Sequence, residues 1–237
     1  MTQRPIRAIL FDKDGTLLDY WKTWVPINRE VTLFAARGDQ ALANELLRLG
    51  GQDPDTGAIA PNTLLASAGV EEIVETFATY LGARAPAHLY DNVARIFRDG
   101  GARTSVLIDG ADETVFELKR RGYKLGIATN DTHAGIESSL ARFDVLRTFD
   151  FLCGCDTGHG AKPLPGMALA FAAAVAMPPS AIAMVGDSTH DLEMGRRANY
   201  GMTVAVLSGT GTRDDLAPHA DLILGSVCDM LQRPEFA

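Results

Sequence analysis

Two carboxylates, Asp12 and Asp14, follow directly on the first apolar run of the chain. A short, continuous apolar run such as residues 7–11 is typical of a strand buried on both faces of a parallel sheet, and open α/β sheets bind ligands at the carboxyl ends of their strands. Two acids at the end of a buried strand repel each other, and burying either one without a partner is costly. We therefore expect a cation nearby, although a hairpin turn at Asp14-Gly15 would also fit these residues.

A second pair of acids, Asp187 and Asp191, follows the apolar run 181–185. Two hard oxygen ligands in this arrangement, close to a third from the first strand, describe a magnesium site. The alternative is that Asp187 only caps a helix and that Asp191 lies on the surface. The magnesium site is favoured because Asp12 and Asp14 also stand at the end of a strand.

Two further positions could bind an anion. Thr129 ends an apolar run as Asp12 does, and Asn130 or Asp131 could cap the helix that follows. A helix N-terminus offers free N–H donors to a phosphate, but the same residues also fit a purely structural cap. Lys162 lies in a Gly/Pro-rich loop after a predicted strand, and its ammonium could balance the carboxylates, unless it is simply a solvated loop lysine.

The elements that must position these residues alternate between strands and helices. Apolar runs predict strands at residues 7–11, 123–129, 149–155, 181–185, 202–207 and 222–224. Helix-length segments separate them, which favours a parallel sheet with right-handed crossovers. The fold class predicted is therefore α/β.

A block of helices interrupts this alternation after the first strand. Helical patterns occur at residues 25–36, 39–49, 61–68, 70–81 and 86–97, and Asp99-Gly100-Gly101 is expected to close the run. Such a block indicates an inserted helical domain. We predict a core of residues 1–18 and 100–237 and a helical insertion of residues 19–99, although the helices could instead cover one face of the sheet.

Composition excludes some classes of protein. The chain has 237 residues and a net charge of −8, which argues against general nucleic-acid binding. No apolar run approaches the roughly 20 residues that span a bilayer, so we expect no membrane partner. The first six residues lack an apolar signal segment, and a cytoplasmic location is the resulting expectation.

The motif Asp12-Lys13-Asp14-Gly15-Thr16-Leu17, after its apolar strand, resembles the first signature of the haloacid dehalogenase superfamily. Lys162-Pro163 is similar to the third signature of that family, and the motifs at Thr129 and at Asp187 occur in the matching order. The resemblance implies a Rossmann-like core with an α-helical cap. It also implies a Mg²⁺-dependent phosphatase that is similar to phosphoglycolate phosphatases and acts on small phosphate monoesters.

The resemblance also implies a role for each of these residues. Asp12 would be the nucleophile that forms an aspartyl-phosphate, and Asp14 would act first as general acid and then as general base. The Thr129 hydroxyl, the backbone N–H of Asn130 and the Lys162 ammonium would hold the phosphoryl group. The Mg²⁺ ligands implied are Asp12, the backbone carbonyl of Asp14, Asp187 and Asp191.

Other functions remain open at this point. A phosphomutase keeps the same residues, and a signalling receiver domain also accepts a phosphoryl group, although the helical insertion and Asp14 argue against the receiver. The partner expected is a small phosphorylated metabolite, with a monomer or homodimer as the assembly. Lys13 stands where the family usually has an aliphatic residue, and substrate specificity is expected from cap residues, of which those nearest the hinge are Trp21, Lys22, Trp24 and Arg29.

Overall fold

A six-stranded parallel sheet forms the centre of the molecule. The computed structural model describes residues 5–237, so the expectation for the N-terminal leader falls largely on residues 1–4, outside the described part. The sheet has the order β3-β2-β1-β4-β5-β6 and confirms the predicted α/β class. Its strands are β1 (Ala8–Phe11), β2 (Lys124–Ala128), β3 (Phe151–Cys153), β4 (Ile182–Gly186), β5 (Met202–Val206) and β6 (Leu222–Leu224).

The central position of β1 explains where a ligand site can form. Phe11 pairs in register with Ile127 of β2 on one side and with Val185 of β4 on the other. The residues that follow these three strands therefore meet at one edge of the sheet. The strand order also reverses at β1, and this reversal leaves a crevice at the carboxyl ends of the strands.

Helices cover both faces of the sheet. On one face α6 (Ala111–Arg120) and α7 (His133–Leu140) pack on the apolar side chains of β1, β2 and β4. On the other face α8 (Gly166–Ala174) and α9 (Thr189–Arg197) pack against the same strands. Because the strands are buried on both faces, they are apolar almost throughout. The remaining short helices of the core include α10 (Arg213–Leu216) and 3₁₀ turns at Asp144–Thr148, Pro179–Ala181, Val227–Gln232 and Pro234–Phe236.

Five helices lie between β1 and α6, and we call them the helical segment. Their buried side chains, among them Ile27, Phe77 and Val93, form a hydrophobic cluster separate from the clusters on the sheet. None of the helices in the described part of the chain is long and apolar enough to cross a bilayer. The helices are α1 (Tyr20–Ala35), α2 (Gln40–Leu49), α3 (Leu64–Ser67), α4 (Val70–Leu81) and α5 (Leu89–Thr104), with a 3₁₀ turn at Gly82–Arg84.

The first helix begins earlier than the sequence predicted. Helix α1 starts at Tyr20 and not at residue 25, and it contains Pro26 in its interior. The side chain of Asp19 accepts a hydrogen bond from the backbone N–H of Lys22 and so caps the helix. The earlier start also turns Tyr20 and Trp24 toward the interior, where both are buried.

The last helix of the segment ends later than predicted. Helix α5 continues through Gly100 and Gly101 to Thr104, so it crosses the predicted domain boundary at 99/100. A Cβ atom at Gly100 would lie 2.8 Å from Cγ1 of Ile27 in α1. Gly100 therefore serves close packing between helices, whereas the sequence suggested that the two glycines end the helix.

This packing predicts opposite effects for two neighbouring substitutions. Gly100→Ala should lower the free energy of unfolding by about 1–3 kcal/mol, because its methyl group overpacks the buried Ile27. Gly101→Ala is the matched control, because its methyl group would lie 3.6 Å from its nearest neighbour, Cβ of Ser139. That control should gain up to about 1 kcal/mol from helix propensity. Urea unfolding of both variants checks this, and equal stabilisation of the two would contradict the packing argument.

Candidate active site

Asp12 lies at the centre of the polar edge of the sheet. It follows β1 directly, and only 6% of its surface is exposed. Oδ1 accepts a hydrogen bond of 2.6 Å from Nζ of Lys162. Oδ2 is buried and has no hydrogen-bond partner among residues 5–237. One oxygen of this carboxylate is therefore held in place while the other is left free for a ligand.

Lys162 is the cation that the sequence led us to expect near the acids. Its loop lies between β3 and α8, and its Nζ donates hydrogen bonds of 2.6 Å to both Asp12 and Asp191. Burial alone would lower the pKa of Lys162, but the carboxylates of Asp12 and Asp191 outweigh it and raise that pKa above its usual value. Lys162 therefore carries a full positive charge in the site.

Asp187 and Asp191 are positioned by the end of β4 and the start of α9. Oδ2 of Asp187 accepts a hydrogen bond of 2.7 Å from the backbone N–H of Thr210. Asp191 forms a capping box with Ser188, whose backbone N–H and hydroxyl both donate to Oδ2 of Asp191. Both side chains are buried, so their positions are fixed by the fold.

The carboxylates of Asp12, Asp187 and Asp191 form the candidate metal site. One oxygen from each lies within 4.8 Å of the others, and all three residues are buried. Burial raises the pKa of Asp12 to about 7, although Lys162 opposes this rise. Burial and the negative charges of Asp12 and Asp191 also raise the pKa of Asp187. A hard divalent cation would offset this excess of negative charge, and the three carboxylates offer it hard oxygen ligands.

Thr129 and Asn130 lie at the end of β2, beside Asp12. Thr129 is buried, and its Oγ1 accepts a hydrogen bond from the backbone N–H of Asp131. Neither Asn130 nor Asp131 caps α7, because the side chain of Thr132 does so by accepting from Gly135 N–H. The Asn130 side chain instead accepts from the backbone N–H of Lys162 and donates to the carbonyl of Ser67 in α3.

The side chain of Asp14 takes part in a second, separate charge cluster that the sequence did not predict. Lys13 is fully buried, and its Nζ lies 2.9 Å from Oδ2 of Asp14 and 2.9 Å from Oδ2 of Asp131. Nε1 of Trp24 donates a hydrogen bond of 2.7 Å to Oδ1 of Asp14. The carboxylate of Asp14 is thus held by Lys13 and Trp24 and is not a member of the three-carboxylate group.

Electrostatics in this cluster favour a charged lysine beside an acid that binds a proton readily. Burial would lower the pKa of Lys13, but Asp131 and Asp14 raise it above its usual value. Burial raises the pKa of Asp14, while Lys13 lowers it and Asp131 raises it again. The signal that could have revealed this cluster is the lysine itself, which interrupts an apolar strand end in the sequence.

The pocket between the sheet edge and the helical segment brings the predicted site residues together. Asp12, Asp14, Thr129, Asn130, Lys162, Asp187 and Asp191 all line it. His190 also lines the pocket, and its Nδ1 has no partner within the described chain. Of the four segment residues expected near the hinge, Trp24 lines the pocket, whereas Trp21, Lys22 and Arg29 do not.

Several curated proteins resemble this chain. The protein named Probable phosphatase IndB of Dickeya dadantii is 32% identical over 47% of this chain and 48% of its own length, so the chain spans about half of that relative. A phosphonoacetaldehyde hydrolase of Bacillus cereus is 28% identical over 86% of this chain and 77% of its own length.

A solved structure shares the fold. The crystal structure of a predicted phosphoglycolate phosphatase from Haemophilus somnus superposes with a TM-score of 0.73. It is 21% identical and covers 98% of each chain. This similarity confirms the predicted Rossmann-like architecture.

The family itself follows from a match to most of the chain. The family model for haloacid dehalogenase-like hydrolases matches residues 6–199 of this chain. This range contains all the strand-end motifs described above. The resemblance noted in the sequence is confirmed by this match. The chain therefore belongs to the haloacid dehalogenase-like hydrolases.

Proposed function

We propose that this hydrolase is a Mg²⁺-dependent phosphatase that cleaves small phosphate monoesters through an aspartyl-phosphate. The observation that carries the proposal is the different environment of the two carboxylate oxygens of Asp12. Lys162 holds one of its carboxylate oxygens, the other has no hydrogen-bond partner among residues 5–237, and Asp12 lines the pocket. An oriented and unpaired carboxylate oxygen beside a fixed cation suits nucleophilic attack on phosphorus.

In the first half of the reaction, an oxygen of Asp12 attacks phosphorus and the bond to the leaving oxygen breaks. Asp14 donates its proton to that oxygen, so an alcohol departs. The raised pKa of Asp14 suits this step because it favours the protonated form. The Lys162 ammonium offsets the charge on the transferring phosphoryl group. The Thr129 hydroxyl accepts from Asp131 N–H, which leaves its own proton for a phosphoryl oxygen.

In the second half, water attacks the aspartyl-phosphate and regenerates the free carboxylate of Asp12. Asp14, now ionised, takes the proton from water, and inorganic phosphate is released. Lys13 and Trp24 hold the Asp14 carboxylate in one position through both halves. These two residues act through Asp14, so they are positioning residues.

The three-carboxylate group fits a resident Mg²⁺. Asp12, Asp187 and Asp191, with the backbone carbonyl of Asp14, would hold the ion. When bound, Mg²⁺ supplies charge neutralisation at the nucleophile and at the phosphoryl oxygens.

We propose further that the helical segment is a cap over this site, as the sequence division at residues 19–99 implies. Hydrogen bonds that support this connect Trp24 to Asp14 and Ser67 to Asn130. A third connects the hydroxyl of Thr189 to the side chain of Asn62. The partner proposed is a small phosphorylated metabolite that is enclosed between the segment and the sheet.

Replacing the nucleophile tests the mechanism directly. Asp12→Asn should lower phosphate release by about 10⁴-fold or more, because an amide cannot form the covalent intermediate. Phosphate release from a panel of small monoesters, with Mg²⁺ and with excess chelator, is the measurement. Asp55→Asn, an exposed acid outside the pocket, is the matched control and should keep full activity.

The wild-type protein in the same assay separates two outcomes. Metal-dependent release supports the phosphatase. A phosphoprotein that is stable in water and passes its phosphoryl group to a second sugar phosphate would instead indicate a phosphomutase.

The role of Asp14 predicts a dependence on the leaving group. With hydroxyethyl phosphate, whose leaving group needs a proton, Asp14→Asn should lose about 10²–10⁴-fold in rate. With 4-nitrophenyl phosphate the first half needs no acid, so a rapid burst of about one equivalent of nitrophenol should precede a slow steady state. Stopped-flow absorbance measures the burst. Equal losses with both esters and no burst would show that Asp14 is not the acid.

The buried cluster around Lys13 predicts a large effect on stability. Lys13→Met should lower the free energy of unfolding by about 3–5 kcal/mol, because it leaves Asp14 and Asp131 buried without their cation. Adding Asp131→Asn should restore part of this loss. Lys22→Met is the control, since Lys22 pairs with Asp19 at an exposed position and should change stability little. Urea unfolding of the wild type, Lys13→Met, the double variant and Lys22→Met measures these free energies. A loss of stability in Lys13→Met no larger than that in Lys22→Met would contradict the argument.

A further inference from the structure

The two sides of the pocket differ in chemistry. The sheet side is lined by acids and by Lys162, as described above. The wall formed by the helical segment is mainly apolar and aromatic, and most of its large side chains are well buried. These wall residues include Tyr20, Trp24, Leu65, Val70, Ile73 and Phe97.

Every charged side chain that lines the pocket, within the described residues, comes from the sheet side. The carboxylates are Asp12, Asp14, Asp131, Asp187 and Asp191, and the only ammonium is Lys162. Lys162 is already bonded to Asp12 and Asp191. The charged side chains of the pocket therefore have an excess of negative charge, which favours a divalent cation and leaves no lysine or arginine for a second anionic group beside the phosphate.

The basic residues at and just before the start of the helical segment do not line the pocket. Nζ of Lys22 pairs with Asp19, and the Lys22 side chain is 61% exposed. Arg29 donates to the backbone carbonyl of Pro54 and does not line the pocket. Lys13 lies behind the pocket, is fully buried and is shared between two acids.

The side-chain polar groups of Tyr20 and Asn28 on the wall are paired with protein atoms. The hydroxyl of Tyr20 donates to the carbonyl of Leu65, which is also part of the wall. Nδ2 of Asn28 donates to Oε1 of the buried Gln52. A leaving group with several hydroxyls would find few free partners here, and buried polar groups without partners are costly.

From these observations we propose that the site takes phosphate monoesters whose alcohol part is uncharged and presents an apolar face, such as an aryl or alkyl alcohol. The inference rests on the proposed phosphatase function and specifies its substrate class. A carboxylate on the leaving group would lie among the acids and the apolar wall, where the described residues offer no free lysine or arginine to pair with it. Phosphoglycolate is therefore a poor substrate for this pocket.

Matched pairs of esters test the inference with the wild-type protein and Mg²⁺. Phenyl phosphate is compared with 4-carboxyphenyl phosphate, and hydroxyethyl phosphate with phosphoglycolate. In each pair kcat/KM should be at least about tenfold higher for the uncharged member. Phenyl phosphate should also exceed glucose 6-phosphate. A carboxylated member that equals or exceeds its partner would overturn the inference while leaving the phosphatase function intact.

A variant with a cation on the wall makes the test specific to this surface. Val70→Lys introduces an ammonium at the start of α4, on the pocket wall. This variant should lower the ratio of kcat/KM between the uncharged and the carboxylated ester of each pair. Thr79→Lys adds the same charge at an exposed position of the same helix and should leave the ratios unchanged. Unchanged ratios in Val70→Lys would overturn the inference. No metal-dependent release from any ester would overturn the proposed function itself, and the inference with it.

Discussion

Three buried carboxylates stand around one buried ammonium at the edge of the sheet, and much of the surrounding structure serves to keep them there. Bringing like charges out of water is unfavourable, and the attraction to Lys162 offsets only part of that cost. Hydrogen bonds from backbone N–H groups and close packing offset the rest of this free-energy cost. Gly15 and Gly209 illustrate the packing, because a Cβ atom on either would lie 2.6 Å or less from Oδ2 of Asp187. The position of the Asp187 carboxylate thus leaves no room for a side chain at Gly15 or Gly209, which lie in two different loops.

Lys13 and its two acids add a second charge cluster next to the first, and the separation of the two has chemical value. Lys162 contacts Asp12 and Asp191, whereas Lys13 contacts Asp14 and Asp131. Each lysine therefore stabilises a different carboxylate, so the proposed nucleophile and the proposed acid experience different environments. Trp24 joins the second cluster to the helical segment, because its ring lies 5.0 Å from the Lys13 ammonium while its Nε1 binds Asp14.

Much of the fold could be predicted from the sequence because its signals are local. The apolar runs 7–11, 123–129 and 181–185 mark three of the strands, which end in the structure at Phe11, Ala128 and Gly186. The partners of Lys13 could not be predicted, since Asp131 lies 118 positions away and is brought near only by strand pairing. The extension of α5 was also missed. A Gly-Gly pair usually signals a helix end, and the packing against Ile27 explains why Gly100 lies inside one.

Asn130 contacts both the helical segment and the Lys162 loop through one side-chain amide. Its Nδ2 donates to Ser67 in the segment, while its Oδ1 accepts from the backbone of Lys162. A single neutral hydrogen bond contributes only about 1 kcal/mol net. The contact with Ser67 is therefore weak, and its loss would not unfold any element of the core. If the segment opens as the proposed cap, one end of the amide would be freed, while the other end would still fix the loop that carries Lys162.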